Sequence, residues 1–326
     1  MTVRLSVIAV ALSLGAIEAA SAQASVQAYP SRPITMVVPY PAGGPSDTLG
    51  RVLAESMRGF LGQPVVIENV SGAGGAIGVG RVARAAPDGY TLSLGHVQTH
   101  VINAATQTLP YDVVKDFEPV ALLADTPQWI VAKAAFPAAS LQEMIAWMKA
   151  NPGKATFVNQ NAAAQVSGIL MQQLTGTQVQ FIPYRGAGPA MTDLLSGQVD
   201  LLVVQAAVAL PQVRGGTIKA IANLSPQRSP SVPDIPTSDE GGVSGLYMSG
   251  WFGFFAPKGT PKDVIAKLNG AMVQALADPA VRARFAELGL DVASREQQTP
   301  EGLAAFHKAE IEKWWPIIKA AGVKPE

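Results

Sequence analysis

Ile34-Thr35-Met36-Val37-Val38-Pro39-Tyr40-Pro41-Ala42-Gly43-Gly44-Pro45-Ser46-Asp47 is the stretch on which the fold turns. Residues 34–39 form an unbroken apolar run, which reads as a buried strand. From 47 to 60, Leu49, Val52, Leu53 and Met57 recur on one helical face, and Gly62 stands just past the end. An apolar strand handed at once to an amphipathic helix is half of a βαβ unit, whose sheet is covered on both faces. The reading continues outward in the same rhythm. Residues 65–68 are a second strand, 71–75 a glycine-rich turn before a short helix through Ala85, and 90–94 a third strand.

The pattern restarts past 129–132. A helix over 141–150 stops at Asn151-Pro152-Gly153. It is followed by a strand at 156–158, a helix at 166–174, a strand at 179–183, a helix at 189–195, and strands at 199–204 and 218–223. A Pro/Ser-rich passage, 225–237, reads as a return linker. Two helices close the chain. One starts at Thr260-Pro261-Lys262-Asp263, where Thr260 fits an N-cap with proline at the first position, and the other at Thr299-Pro300-Glu301. The expected organisation is α/β with two lobes, each a mainly parallel sheet flanked by helices, and a ligand cleft between them. Residues 25–126 and 227–326 make the first lobe, and 127–226 the second. Two crossings, near Pro127 and Pro226, would form a hinge.

Ligands of open α/β sheets lie outside the carboxyl ends of the strands, so candidate binding residues are read from the strand ends. The loop holding Tyr40, Ala42, Gly43, Gly44, Ser46 and Asp47 joins a strand to a helix N-terminus. That combination offers backbone N–H groups and a positive dipole end to an anion. The alternative is an ordinary turn with Asp47 or Ser46 as N-cap. His96 and Thr99 follow the third strand as polar cleft groups, with packing as the competing use; His96 and His100 lack an acidic companion for a metal. In the second lobe, Asn159, Gln160 and Asn161 bring neutral amides to a strand end, Gln205 ends another, and Tyr184-Arg185 follows a third. Arg185 could clamp a carboxylate or pair with a surface acid. Ser71 to Gly78 fails the spacing of a dinucleotide fingerprint and reads as a tight turn with close helix–sheet packing. Trp251, Phe252, Trp314 and Trp315 read as core, and His307 as surface.

The chain has 326 residues, 48% of them hydrophobic, with 24 basic and 24 acidic side chains, three histidines and no cysteine. A balanced chain without a Lys/Arg cluster has no electrostatic footprint for nucleic acid or an anionic membrane. The absence of cysteine removes disulfides, thiol nucleophiles and thiolate metal sites together. No nucleophile elbow, P-loop or HExxH stands in the sequence. No catalytic residue, cofactor or metal is therefore expected. At the N-terminus, Arg4 precedes the apolar run 5–17, and Ala20-Ser21-Ala22 fits a small-x-small cleavage site. This is an export-signal pattern, with the run shorter than the roughly 20 residues of a membrane span. Residues 1–24 are the expected signal peptide, and the mature chain would begin at Gln23 or Ser25 in the periplasm.

A set of spaced motifs adds a family resemblance. They are Tyr29-Pro30-Ser31-Arg32-Pro33-Ile34, Pro41-Ala42-Gly43-Gly44-x-x-Asp47, Gly74-Gly75-x-x-Gly78, Pro87-Asp88-Gly89-Tyr90-Thr91-Leu92 and Asp116-Phe117-x-Pro119-Val120. Further along come Pro183-Tyr184-Arg185-Gly186, Gly197-Gln198-Val199-Asp200, Pro233-Asp234-Ile235-Pro236-Thr237 and Trp251-Phe252-Gly253. In these the chain resembles the extracytoplasmic solute-binding proteins of tripartite tricarboxylate transporters, the Bug receptor family. The resemblance implies a periplasmic-binding-protein fold of the second topological type and a monomer that closes on a small carboxylate. It also implies delivery to the large and small permease subunits of a membrane transporter. A sensory module for a two-component system would share the fold. In the family, the loops matching 42–47 and 159–162, Ala162 included, grip one ligand carboxylate, partly through water. This chain departs at Asn159-Gln160-Asn161-Ala162-Ala163-Ala164-Gln165-Val166-Ser167, where relatives carry a Ser/Gly-rich turn, and at Val204-Gln205, where a Phe-Asp often stands. Both departures fall in the far half of the pocket.

Overall fold

The computed structural model of the protein describes residues 29–184, 186–229 and 232–320. The expected export signal and Arg185 lie outside the described residues. Two sheets organise the rest. The first holds β1 (Ile34–Val38), β2 (Val65–Asn69), β3 (Thr91–His96), β4 (Phe117–Asp125), β10 (Phe252–Pro257) and β11 (Asp291–Val292), in the order β11-β4-β10-β3-β1-β2. The second holds β5 (Gln128–Lys133), β6 (Thr156–Asn159), β7 (Gln180–Pro183), β8 (Leu201–Gln205) and β9 (Ile218–Asn223), in the order β7-β6-β8-β5-β9.

The sheets are parallel where the βαβ rhythm was legible: β1 pairs with β2 and β3, and β6 with β7 and β8, all in parallel. The exceptions have a mechanical cause. Only Thr126 and Pro127 separate β4 from β5, so β5 starts at the end of the second sheet nearest the first. It then runs against β8, with Gln128 opposite Gln205. On its return the chain enters the first sheet in the same way. Phe252 begins β10 opposite His96, at the end of β3, and β10 runs antiparallel to both β3 and β4. The short β11 is also antiparallel to β4.

The helix after β1, α1 (Pro45–Leu61), shows how sequence becomes packing. Leu49, Leu53 and Met57, spaced at four, are fully buried. Each such side chain removed from water contributes about 1.5–3 kcal/mol. The helix stops at Gly62, whose left-handed backbone (φ 68°) lets its N–H reach the Arg58 carbonyl. It starts two residues before the expected Asp47. Gly44 is its N-cap residue, Pro45 its first helical residue, and no side chain caps it, which corrects the expectation of a Ser46 or Asp47 cap. The remaining helices are α2 (Ala76–Ala83), α3 (Asn103–Thr106), α4 (Leu141–Ala150), α5 (Ala162–Thr175), α6 (Ala187–Leu195), α7 (Ala206–Arg214), α8 (Lys262–Ala277), α9 (Pro279–Glu287) and α10 (Pro300–Ala320). The hydroxyl of Thr260 donates back to the Pro257 carbonyl instead of capping α8, whereas Thr299 accepts from Gly302 N–H at the start of α10, as its sequence suggested.

Trp251, Phe252 and Trp314 are fully buried, but Trp315 is 38% exposed and reaches inward only through its indole N–H to the Val101 carbonyl. His307, expected at the surface, is buried: its Nε2 lies 2.7 Å from the His100 carbonyl, and its ring packs among Trp251 and Phe255. It stands one helical turn after the buried Leu303, on the inward face of α10, and the ring contacts from β10 are invisible locally.

The second glycine-rich turn is a packing device. A Cβ at Gly78 would stand 2.5 Å from the Val70 carbonyl oxygen and 3.1 Å from Pro39 Cα, both backbone atoms that cannot swing aside. Gly78→Ala should therefore lower unfolding stability by about 1–3 kcal/mol. Gly270, inside α8 with nothing within 4 Å of its Cβ position, offers the opposite case. Gly270→Ala should raise stability by about 0.5–1 kcal/mol. Urea titration of both variants checks the pair; equal destabilisation would contradict this packing.

Candidate functional site

The strand ends converge on one cavity of about 760 Å³. The first sheet contributes Tyr40 and the loop to Ser46 after β1, and His96, Val97 and Gln98 at the end of β3. The second contributes Gln160 and Asn161 after β6, the first turns of α5 and α6, and Val203 to Gln205 at the end of β8. Gln128, Met248 and Ser249 close it where the chain passes between the sheets. Among the described residues, no Asp, Glu, Lys or Arg lines this cavity. Its size suits a small organic molecule.

The 40–47 loop is held from behind by Asp47. One carboxylate oxygen accepts from Gly43 N–H at 2.9 Å and from Arg51 Nε at 3.0 Å; the other accepts from Asn69 Nδ2 at 3.0 Å. The same Asn69 amide reaches the Tyr40 carbonyl at 3.1 Å, tying both ends of the loop to β2. The hydrogen bond from Arg51, supported by Gly43 and Asn69, outweighs burial and lowers the Asp47 pKa to about 2. Asp47 is thus a buried carboxylate that does not line the cavity. Gly43 needs its φ of 83°, a left-handed conformation. Gly44 does not: its φ is −81°, and an added Cβ would meet only the Pro41 carbonyl, at an ordinary 3.6 Å. With Gly43 N–H taken and no N–H on Pro45, the amides left for an anion are those of Gly44, Ser46 and Asp47. The Ser46 hydroxyl stands beside them.

Beyond β3 the backbone makes a π-turn, Gln98–Ile102, before α3. This turn separates residues that the sequence had grouped. His96 lines the cavity, whereas Thr99 is fully buried behind it, its hydroxyl bonded to the backbone of His96 and 3.0 Å from His100 Nδ1. Thr99 is a support of the wall and not part of it. His100 is also buried, stacked on Phe255 at 4.2 Å, so the two histidines do not converge on a metal. His96 Nδ1 accepts from Gln98 N–H at 3.2 Å, which assigns the ring proton to Nε2. Burial lowers its pKa to about 4, against the Gly250 backbone, so the ring stays neutral across the physiological range. Tyr40 meets this ring edge-on at 6.0 Å, and burial raises the pKa of its phenol.

On the opposite wall, Gln160 and Gln205 line the cavity, and so does Asn161, whose side-chain oxygen caps α5 by accepting from Ala164 N–H at 2.8 Å. Ala162 does not line it; its neighbours Ala163 and Ala164 do. Tyr184 is also set apart, because its hydroxyl donates to Asp193 at 2.6 Å on α6. Sequence reasoning missed Gln98, Gln128, Met248 and Ser249. Ser249 lines the cavity while its hydroxyl donates to Asp125, and burial raises the Asp125 pKa. Gly250 beside it explains why no local signal existed. A Cβ there would stand 2.6 Å from Gln128 Nε2, 2.6 Å from Thr126 Cγ2 and 3.3 Å from His96 Nε2, groups brought to it from two distant segments.

Asp47 makes a pH-dependent prediction. Its folded pKa near 2 lies below the unfolded value of about 3.9. The stability it contributes is therefore present above pH 4 and lost as pH falls toward 2. Asp47→Asn should cost about 1–3 kcal/mol at pH 6, because an amide cannot accept from all three donors. The gap between wild type and variant should narrow between pH 4 and pH 2.5. Denaturant melts at three pH values test this; a gap independent of pH would assign the cost to packing alone.

The profile described as tripartite tricarboxylate transporter family receptor matches residues 49–323. Protein BugT of Bordetella pertussis is 37% identical over 328 residues, covering 99% of each chain. Among solved structures, the periplasmic binding protein BugD is 41% identical with a TM-score of 0.78, covering 91% of this chain and 100% of its own. MatC from Rhodopseudomonas palustris, solved with bound malate, is 39% identical with a TM-score of 0.77, covering 89% and 100%. These neighbours are binding proteins and not enzymes, and their two-lobed fold is the fold of this chain. The chain belongs to the tripartite tricarboxylate transporter receptor family.

Proposed function

We propose that this protein is an exported receptor that captures a small organic carboxylate between two lobes and passes it to a tripartite-type membrane permease with large and small subunits. The observation that carries the reading is the 40–47 loop. Its first-turn amides and Ser46 adjoin a cavity without a charged side chain among the described residues, and Asp47, the carboxylate behind the loop, is neutralised from outside the cavity. An anion held by fixed backbone dipoles needs no counter-ion. The malate seen in MatC agrees with a carboxylate ligand here.

The proposal divides the chain into lobes at the paired passages. The first passage is Thr126-Pro127. For the second we take Ser249 in place of the crossing near Pro226 expected from the sequence, on the support that Leu224 N–H donates to the Gln128 carbonyl, Met248 N–H to the Leu224 carbonyl and Gly250 N–H to the Thr126 carbonyl. The lobes then hinge on two adjacent strands, and ligand shifts the population from open to closed. A mature N-terminus in the periplasmic fraction and a permease partner complete the reading.

Three measurements test it. Thermal shift against mono-, di-, tri- and aromatic carboxylates should find a binder, and one present at 100 times its Kd adds about 2.7 kcal/mol of stability. Gly44→Val, at a position free of backbone strain, should weaken that binder at least tenfold by calorimetry; wild-type affinity in this variant would move the carboxylate elsewhere. Small-angle scattering should show a smaller radius of gyration at saturation. An unchanged radius with confirmed binding would rule out closure.

A further inference from the structure

Two carboxylates meet at the first passage between the sheets. Asp125 is the last residue of β4, immediately before Thr126-Pro127, and Asp291 stands directly opposite it on the antiparallel β11. Residues paired in this way leave the sheet on one face with Cα atoms about 4.5–5.5 Å apart, where like charges repel. Each carboxylate accepts from a serine brought in from another part of the chain. Ser249, which lines the cavity, donates to Asp125, and Ser229 donates to Asp291 at 3.2 Å. Among the described residues neither carboxylate forms an ion pair.

The charges packed around the pair are engaged elsewhere. Lys313 on α10 is the cation that acts on Asp125, but its Nζ donates to the Tyr247 carbonyl at 2.9 Å and it is shared with Glu310. Glu310 itself accepts from the Trp251 and Trp314 indoles. Arg228, next to Ser229, pairs with Glu240. On α9, behind β11, Arg282 donates to the Leu276 carbonyl and Arg284 pairs with Glu287. α8 meets β4 through the Asn269 amide, bonded to the Val120 carbonyl. Three carboxylates thus share one cation. Burial pushes the Asp291 carboxyl up to about 6, with Ser229 opposing and Asp125 adding to the rise, and burial raises Asp125 as well. The three histidines are all lowered by burial, away from the neutral range.

We propose that Asp125 and Asp291 hold one proton between them at the hinge, and that an anion entering the cavity tightens their hold on it, so that the protein takes up a proton with its ligand. This rests on the carboxylate reading above and adds a second, coupled occupant to it. One serine side chain separates the cavity from Asp125. A negative charge arriving there disfavours the fully ionised pair, and by reciprocity the protonated pair favours the anion. The pair titrates as a unit, so the proton belongs to both carboxylates.

Calorimetry at pH 6.5 in PIPES and in bis-Tris, buffers of different ionisation heat, reads the uptake directly. The probes are lactate, tartrate, benzoate and 2-oxoglutarate, acids that stay ionised at this pH. A probe that binds should show the buffer dependence of proton uptake. It should also bind about threefold more tightly at pH 6 than at pH 7.5, the gain that an average uptake of about 0.3 proton gives. Asp291→Asn should abolish both effects. A probe that binds with buffer-independent heat and constant affinity overturns the coupling while the carboxylate reading stands. Uptake that survives in full in Asp291→Asn places the proton elsewhere, with His96 the first candidate, and also overturns it. If none of the four binds, the carboxylate reading fails and takes the coupling with it. A second measurement needs no probe. A carboxyl raised on folding binds its proton more tightly in the folded chain, so stability declines as pH rises from 4 through 6. Asp291→Asn should flatten that decline in urea melts, and equal slopes in the two proteins overturn the shared proton. Asp125→Asn, read in the same two ways, decides the matter where Asp291→Asn does not fold.

Discussion

The chain passes between its sheets twice at one place, and the two passages touch. Pro127 and Ser249 form an isolated antiparallel bridge, and Gly250 N–H donates to the Thr126 carbonyl at 3.1 Å. There is no room for a side chain at 250. From this contact follow the reversed directions of β5 and β10, since each strand must begin beside the passage that feeds it. The placement of His96, Gln128 and Gln205 follows too, because the strands they begin or end are paired at that level. The cavity is what remains when two sheets present their carboxyl ends to a shared pair of connecting strands.

A cavity whose described lining residues carry no charge poses a different problem from one built on arginine. Backbone amides and helix dipoles are weaker than a guanidinium, so the loop that carries them has to be rigid before ligand arrives. Asp47 supplies the rigidity. Its carboxylate collects donors from the loop, from the next turn of α1 and from β2, and Arg51, 57% exposed, balances its charge from outside the cavity. The Gly43 N–H bonded by this carboxylate is one that an anion could otherwise have used. The exchange trades one potential ligand contact for a fixed geometry of the others.

How much of this was legible in the sequence depends on the range of each interaction. The strand–loop–helix at 34–61 was readable because its signals, an apolar run, two glycines and a four-residue periodicity, are local. Nine candidate residues line the cavity: Tyr40, Ala42, Gly43, Gly44, Ser46, His96, Gln160, Asn161 and Gln205. Each ends a strand or lies in the loop or first helical turn after one, where topology alone predicts exposure to the cleft. The failures need longer reach. Thr99 turned inward because a π-turn shifts the side-chain phase by about one residue. Tyr184 was claimed by Asp193, nine residues on. Gln128 and Ser249 depend on a bridge spanning more than a hundred residues, and nothing near either of them in sequence announces it.

The orientation of Gln98 shows how such long-range information ends in chemistry. Gly74 belongs to the turn before α2, Asn103 to α3 and Gln98 to the π-turn after β3, yet the three are joined in a single line of hydrogen bonds. A backbone carbonyl at one end has one possible role, and that role passes through Asn103 to decide which end of Gln98 is free. Composition records only that the wall is rich in amides, groups that donate and accept equally well. The fold breaks the symmetry: Gln98 and Gln160 each spend their N–H on an acceptor behind the wall, and His96 Nδ1 is occupied by Gln98 N–H. The side chains of the wall are therefore oriented by the backbone behind them, and a substitution at Asn103 disturbs Gln98 from outside the cavity.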